Sequence, residues 1–297
     1  MSGPDLRHPL VTRLLDRCTF PPPGEPARCA VSGGADSTAL AVLAAAAGCV
    51  VECAHVDHGL RPGSGDEADL VAGLARALGA SFISLRVEVA DGPDLERRAR
   101  DARRGVLGPG TLYGHTADDQ AESVLLALLR GAGPTGLAGI APEGHPILDL
   151  RRRETEALCA ALELPRFDDP TNGDLRFRRN RVRHEVLPLL CDVAERDVVP
   201  LLVRAARHQR DVTEVLTEAA TAVDPTDAAA LRRLPRAIAA EAVRGWWRGA
   251  TGSPYAPDAA AVDRILDVAA LRIEATEVAG GWRVERHQGR LSLRLGP

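Results

Sequence analysis

Val31-Ser32-Gly33-Gly34-Ala35-Asp36-Ser37 joins a short apolar run, Cys29–Val31, to an Ala- and Leu-rich stretch, Asp36–Ala47. The run reads as a strand and the stretch as a helix, so this segment is the turn between them. Two consecutive glycines let a ligand approach the backbone with no Cβ in the way. The first amides of the helix lack intrahelical acceptors, and the positive end of the helix dipole stands behind them. The turn is therefore suited to an anion. Ser32 and Ser37 add hydroxyl donors, and Asp36 makes sense if a divalent cation bridges the phosphates. The plainer alternative is a strand–helix turn with Asp36 as an ordinary helix-start residue. A Walker loop is ruled out, because the chain contains no lysine to close one.

Working outward, strand-like and helix-like segments alternate. Val50–Val56 and Phe82–Val89 read as strands, Asp66–Leu78 and Asp94–Leu107 as helices. Thr111–Gly114 is a fourth strand and Asp118–Leu129 a fourth helix. This alternation predicts an α/β fold with a parallel sheet covered on both faces, its ligand site beyond the C-terminal strand ends. After Gly131 the pattern changes. Gly131–Gly139 reads as a loop; Thr155–Leu164, Leu175–Leu190, Val198–Val223, Arg236–Arg248 and Asp258–Leu271 read as helices. Short strands follow at Ile273–Val278, Trp282–Glu285 and Leu291–Leu295, with Gly280-Gly281 as a hairpin turn. We expect a catalytic domain over residues 1–215 and a smaller, mainly helical domain with a few short strands over 216–297. Trp246, Trp247 and Trp282 fit core or interface positions.

All 37 basic residues are arginines. No lysine of this chain can act as a nucleophile, so any amine in the reaction is brought in. The formal net charge is −4, which restricts any nucleic-acid contact to local patches. Six cysteines occur and none forms a CxxC pair; zinc-site spacing is absent and nothing favours disulfides. No apolar run is long enough for a membrane span and no signal-peptide core is present. A cytoplasmic location is the expectation.

Further motifs lie in order along the first two thirds. They are Ala54-His55-Val56-Asp57-His58-Gly59-Leu60-Arg61, Leu95–Arg103, His115-Thr116-Ala117-Asp118-Asp119-Gln120-Ala121-Glu122, Leu129–Leu137, and Asp168-Asp169-Pro170-Thr171-Asn172 leading into Asn180-Arg181-Val182-Arg183. His115, Asp119 and Glu122 share one helical face if the helix begins at His115; a start at Asp118 leaves His115 on the preceding loop, still nearby. Asp36 and Asp119 at the C-terminal sheet edge suit a shared Mg²⁺. Glu122 and His115 suit receipt of an ammonium and removal of its proton, since an amine must be neutral to attack. Each carboxylate taken singly also fits a helix-start or surface position. Arg176, Arg178, Arg179, Arg181 and Arg183 crowd one segment with Asn180, and Arg151–Arg153 form a second cluster. Arginine forks suit phosphate and stack on bases, which favours an RNA-backbone patch; the plainer alternative is a solvated charged face, or pairing with Glu154, Asp168, Asp169 and Glu185.

The Ser32–Ser37 loop resembles the SGGxDS signature of the PP-loop ATP pyrophosphatases, which cleave ATP between the α and β phosphates. With the other motifs, residues 27–190 resemble the tRNA(Ile)-lysidine synthetases. The resemblance implies an ATP- and Mg²⁺-dependent ligase. It would adenylylate the wobble cytidine of an isoleucine tRNA with anticodon CAU, then let the ε-amine of free lysine attack C2 and expel AMP, so that AUA is read instead of AUG. It implies nucleotide contacts at Ser32, Gly33, Gly34, Ala35, Asp36 and Ser37, and metal ligation by Asp36 and Asp119. Catalytic roles fall to Asp36, Arg103, His115, Asp119 and Glu122, the arginine approaching ATP or the activated cytidine. Arg176, Arg179, Asn180, Arg181 and Arg183 would face tRNA, and the C-terminal part would hold it. A homodimer is an open alternative. Arg104 stands where the family usually has an aromatic. The chain looks short for a family in which many members carry a further C-terminal domain. Competing readings are a PP-loop tRNA thiolase, which would need reactive cysteines, a glutamine-dependent synthetase, and an ATP-binding module without turnover.

Overall fold

The computed structural model describes residues 3–57, 64–87, 95–167, 173–253 and 255–295, without the side chains of 64–66, 95–97 and 99–101. His58–Arg61, Asp168–Asn172 and the side chains of Glu96, Arg97 and Arg100 thus lie outside the described residues.

The first compact unit comprises residues 1–126 and 140–203. Its core element is a parallel sheet in the order β3-β2-β1-β4, built from β1 (Pro26–Ala30), β2 (Val50–Asp57), β3 (Ser81–Arg86) and β4 (Leu112–Tyr113). The connecting helices are α2 (Ala35–Ala46), α3 (Ser64–Leu78) and α4 (Leu95–Leu107), with α5 (Ala117–Leu129) leaving β4. The order reverses at β1, which pairs with β2 on one side and β4 on the other. That reversal opens a crevice at the C-terminal ends of β1 and β4. Three short elements go beyond the sequence pattern. One is α1 (Pro9–Leu15), begun by Pro9 and capped by His8, whose Nδ1 accepts from the Leu10 amide at 3.2 Å. The others belong to the second unit: α6 (Pro134–Leu137), inside the stretch that reads as a loop, and the helical segment Ala228–Arg233.

α2 is the central helix. Ser37 through Ala44 are all buried, because small Ala side chains let the sheet on one side and other helices on the other approach closely. One of those helices is α7 (Arg152–Ala161). α7 begins three residues before the expected Thr155. The Arg151 amide donates to Glu154 Oε2 at 2.8 Å, closing the first turn with no Ser, Thr, Asp or Asn at the cap. The stretch that reads as one helix near Leu175–Leu190 is α8 (Arg178–Arg181), a π-helical turn (Val182–Val186) and α9 (Leu187–Val193). Val182 and Leu187 pack with Ala117, Ala121 and Leu125 of α5, fixing this segment against the helix that carries the acidic motif.

The second unit comprises residues 127–139 and 204–297. α10 (Val199–Thr221) runs into it, followed by α11 (Ala228–Arg233), α12 (Arg236–Thr251), α13 (Ala259–Ala269) and an antiparallel sheet of β5 (Ala275–Val278), β6 (Trp282–His287) and β7 (Arg290–Leu295). Its core holds Val243, Val262, Ile265 and Val284, and Trp247 meets Trp282 edge-on at 6.2 Å. No described helix is long and apolar enough to cross a membrane.

Candidate active site

Gly33 adopts φ +84°, a left-handed conformation open to glycine at little cost, and Gly34 caps α2 with extended backbone. The loop is tied from within. The Ser32 amide donates to Ser37 Oγ at 3.1 Å, and Ser37 Oγ donates to the Gly34 carbonyl at 3.0 Å. Ser32, Gly33, Gly34, Ala35, Asp36 and Ser37 thus stand together at the amide end of α2, beside the exit of β4. There a Cβ on Gly114 would come within 2.8 Å of the Asp36 carbonyl oxygen, so glycine is what lets the two chain segments meet.

α5 starts at Ala117, which leaves His115 on the loop before it. Asp119 has two duties. Its Oδ2 accepts from the Thr116 amide at 2.8 Å and the Thr116 hydroxyl at 3.0 Å, capping α5. Its Oδ1 accepts from Arg152 at 3.1 Å and Arg179 at 3.0 Å. Glu122, one turn on, is completely buried. Its Oε1 accepts from Arg152 at 3.2 Å and Arg183 at 2.7 Å, and its Oε2 from Arg179 at 2.7 Å. Asp118 faces away from these and accepts from both Nε and Nη2 of Arg151 at 3.0 Å.

Asp36 joins the same cluster. Arg152 Nε lies 3.5 Å from its Oδ2, and the Thr155 hydroxyl donates to its Oδ1. Burial pushes the Asp36 carboxyl up to about 6 and the Asp119 charge adds to this, while Thr155 and Arg152 hold it down. Burial would raise Asp119 as well, but Arg179 and Arg152 more than offset it and the carboxyl falls to about 2. His115 is pulled down to about 3, mainly by burial. Its Nδ1 is buried with no hydrogen-bond partner among the described residues, and its ring lies 4.8 Å from that of His145. The positive charge of Arg103 also lowers His115, which places that arginine within electrostatic reach of it.

The structure thus brings together Asp36, His115, Asp119 and Glu122, and adds residues that the sequence pattern does not assign to the site. Arg152 belongs by sequence to a charged cluster, and Thr155 and His145 to no motif. The arginines of the 176–183 segment divide. Arg179 and Arg183 turn inward to Glu122, whereas Arg176 and Arg181 are exposed and pair with Asp174 and Glu185 at 2.7 and 2.8 Å. Asn180 is buried and donates to the Asp174 carbonyl at 2.9 Å. The π-helical turn lies where Arg183 reaches Glu122, a placement common for such turns at functional sites. Among the described residues no group of three or more His, Cys, Asp or Glu is arranged to hold a metal. All six cysteines are free, and Cys29 and Cys53 are buried as expected of small apolar side chains.

Residues 12–190 match the PP-loop domain, and residues 227–292 match the TilS substrate binding domain. The chain is 40% identical to the tRNA(Ile)-lysidine synthase of Nocardia farcinica, over 89% of this chain and 90% of that protein. It is 38% identical to that of Salinispora tropica, over 97% and 93%. Among solved structures, the U34-tRNA thiolase NcsA of Methanococcus maripaludis shares the fold, with a TM-score of 0.53 at 16% identity over 68% of this chain and 79% of that one. On the extent of these matches, the chain belongs to the tRNA(Ile)-lysidine synthase family.

Proposed function

We propose that this enzyme joins free lysine to C2 of the wobble cytidine of an isoleucine tRNA bearing CAU, with ATP cleaved to AMP and pyrophosphate. The observation that carries the reading is the meeting of the nucleotide loop and the α5 acidic face in one cluster: Asp36, Asp119 and Glu122 are linked through a single guanidinium, that of Arg152.

The amide end of α2 and the hydroxyls of Ser32 and Ser37 receive the ATP phosphates. Hard oxygen donors from one or two carboxylates suit Mg²⁺, and Asp36 and Asp119 are the pair that would hold it; when bound, the ion neutralises phosphate charge as pyrophosphate leaves. The cytidine O2 attacks the α-phosphate and forms the adenylylated base. Glu122 then receives the lysine ε-ammonium. Glu122 and the neutral His115 accept its proton, the free amine adds to C2, and AMP departs. Arg103, near His115, stabilises the negative charge that develops on the leaving phosphate. The exposed Arg176 and Arg181 meet the tRNA backbone, with residues 216–297 holding the rest of the tRNA. The reaction is cytoplasmic.

The test is incubation of the protein with ATP, Mg²⁺, labelled lysine and an isoleucine tRNA transcript bearing CAU, with a UAU transcript as control. Label in the CAU transcript alone is the expected result. Pyrophosphate release without label would mean a different nucleophile, and the absence of both label and pyrophosphate release would overturn the reading.

A further inference from the structure

Inside the cluster, the guanidiniums of Arg152, Arg179 and Arg183 face the carboxylates of Asp36, Asp119 and Glu122. The charges balance without any ligand. An ammonium brought to Glu122 finds both oxygens already engaged, Oε1 by Arg152 and Arg183 and Oε2 by Arg179. It gains strong pairing only if a guanidinium withdraws, because a desolvated carboxylate has few acceptor sites to share.

Arg152 differs from its two neighbours. Its Nε lies 3.5 Å from Asp36 on the first turn of α2, while its other nitrogens lie 3.1 Å from Asp119 and 3.2 Å from Glu122. Arg179 and Arg183 pair instead with Asp119 and Glu122, both on α5. The Arg152 backbone amide is held by Asp118 Oδ2 at 2.8 Å, so the side chain can swing while the start of α7 stays in place. A guanidinium beside Asp36 is within reach of an anion seated on the Ser32–Ser37 loop, and its planar fork matches phosphate oxygens.

We propose that Arg152 is an exchangeable counter-ion: the phosphates of ATP draw its guanidinium off Asp119 and Glu122, and so open Glu122 to the lysine ammonium. The inference rests on the function proposed above. It makes the two small substrates bind cooperatively, each raising the affinity for the other by the same factor. The amine is then held out of the site until the nucleotide that activates the tRNA is in place.

The experiment is calorimetric titration of L-lysine into the full chain, with and without Mg²⁺ and an ATP analogue carrying a methylene between the α and β phosphorus atoms. Wild type should bind lysine about tenfold more tightly with the analogue. In R152Q, lysine should bind without analogue about as tightly as wild type does with it, and the coupling factor should fall toward one. R152K keeps the charge and loses the fork; it should retain part of the coupling, and it stands in for R152Q if that variant melts early. Equal lysine affinity with and without analogue in wild type overturns the exchange, as does wild-type coupling in R152Q. Wild-type ligation of lysine to the CAU transcript separates the two levels. Ligation without coupling removes only the counter-ion role, whereas no ligation and no lysine binding removes the function as well.

Discussion

Arg179 donates from Nε to Glu122 Oε2 at 2.7 Å, and Glu122 has no solvent-exposed surface. A carboxylate in that position is stable only because guanidiniums surround it, and they in turn depend on it. Neutralising it leaves buried positive charge with one acceptor fewer. For E122Q we expect a loss of about 3 kcal/mol of folding stability, in the range found when one partner of a buried pair is removed. Denaturant unfolding measures this. Lysine ligation should be lost, while tRNA-dependent pyrophosphate release persists, since adenylylation precedes use of the amine.

Asp36 and Asp119 should answer pH and mutation with opposite signs. The Asp36 carboxyl is raised from 3.8 to about 6, so the folded state binds this proton more tightly than the unfolded chain. Below about pH 4 the group is protonated in both states and costs nothing. The cost grows as pH rises from 4 to 6 and is complete above 6. D36N removes it and should stabilise the fold by ~1–3 kcal/mol at pH 8, with no difference at pH 3.5, while abolishing turnover. Asp119, lowered to about 2, contributes stability that is complete above pH 4 and lost as pH falls toward 2. D119N should therefore destabilise at pH 8 by ~2 kcal/mol. Urea unfolding of the two variants at both pH values checks the pair; shifts of the same sign at pH 8 would contradict the assigned environments.

The sheet and its loop are legible in the sequence because the signal there is local. A strand, two glycines and an alanine-rich helix occur within one short stretch, and nothing distant needs to be known. The helix carrying Asp119 and Glu122, with His115 just before it, is legible for the same reason, from spacing alone. Arg152 and Thr155 are not. α7 opens on an arginine instead of a usual capping residue, so its first turn reads as part of a charged surface cluster. What makes Arg152 a site residue is its reach to carboxylates at positions 36, 119 and 122, which no periodicity encodes. Arg179 and Arg183 share a segment with Arg176 and Arg181, and only packing of Val182 and Leu187 on α5 decides which of them turn inward.

His115 should stay neutral throughout the working pH range. Burial lowers it from 6.5 to about 3, so the folded state resists protonation and loses stability as pH falls below 6.5. Its ring carbon–hydrogen NMR signals should not shift between pH 8 and pH 5, a range in which a free imidazole, with a pKa of about 6.5, changes its charge. A midpoint near 6.5 for His115 would remove its standing as a permanently available lone pair for the incoming amine. H115Q should lower the ligation rate and make the fold less sensitive to mild acid.

Arg176 and Arg181 keep their heads in solvent, paired only with Asp174 and Glu185 at the surface. Exposed pairs of this kind are screened and contribute little to folding, so their removal should be read almost wholly in binding. In R176A/R181A the melting temperature should match wild type, and the KM values for ATP and lysine should be unchanged. The KM for tRNA should rise severalfold. Its dependence on salt should also become shallower, because each phosphate that is no longer neutralised keeps about one counterion that binding would otherwise release. Plotting log KM for tRNA against log salt for both proteins makes the comparison. Parallel lines would assign these arginines to a solvated face and leave phosphate recognition to other parts of the chain.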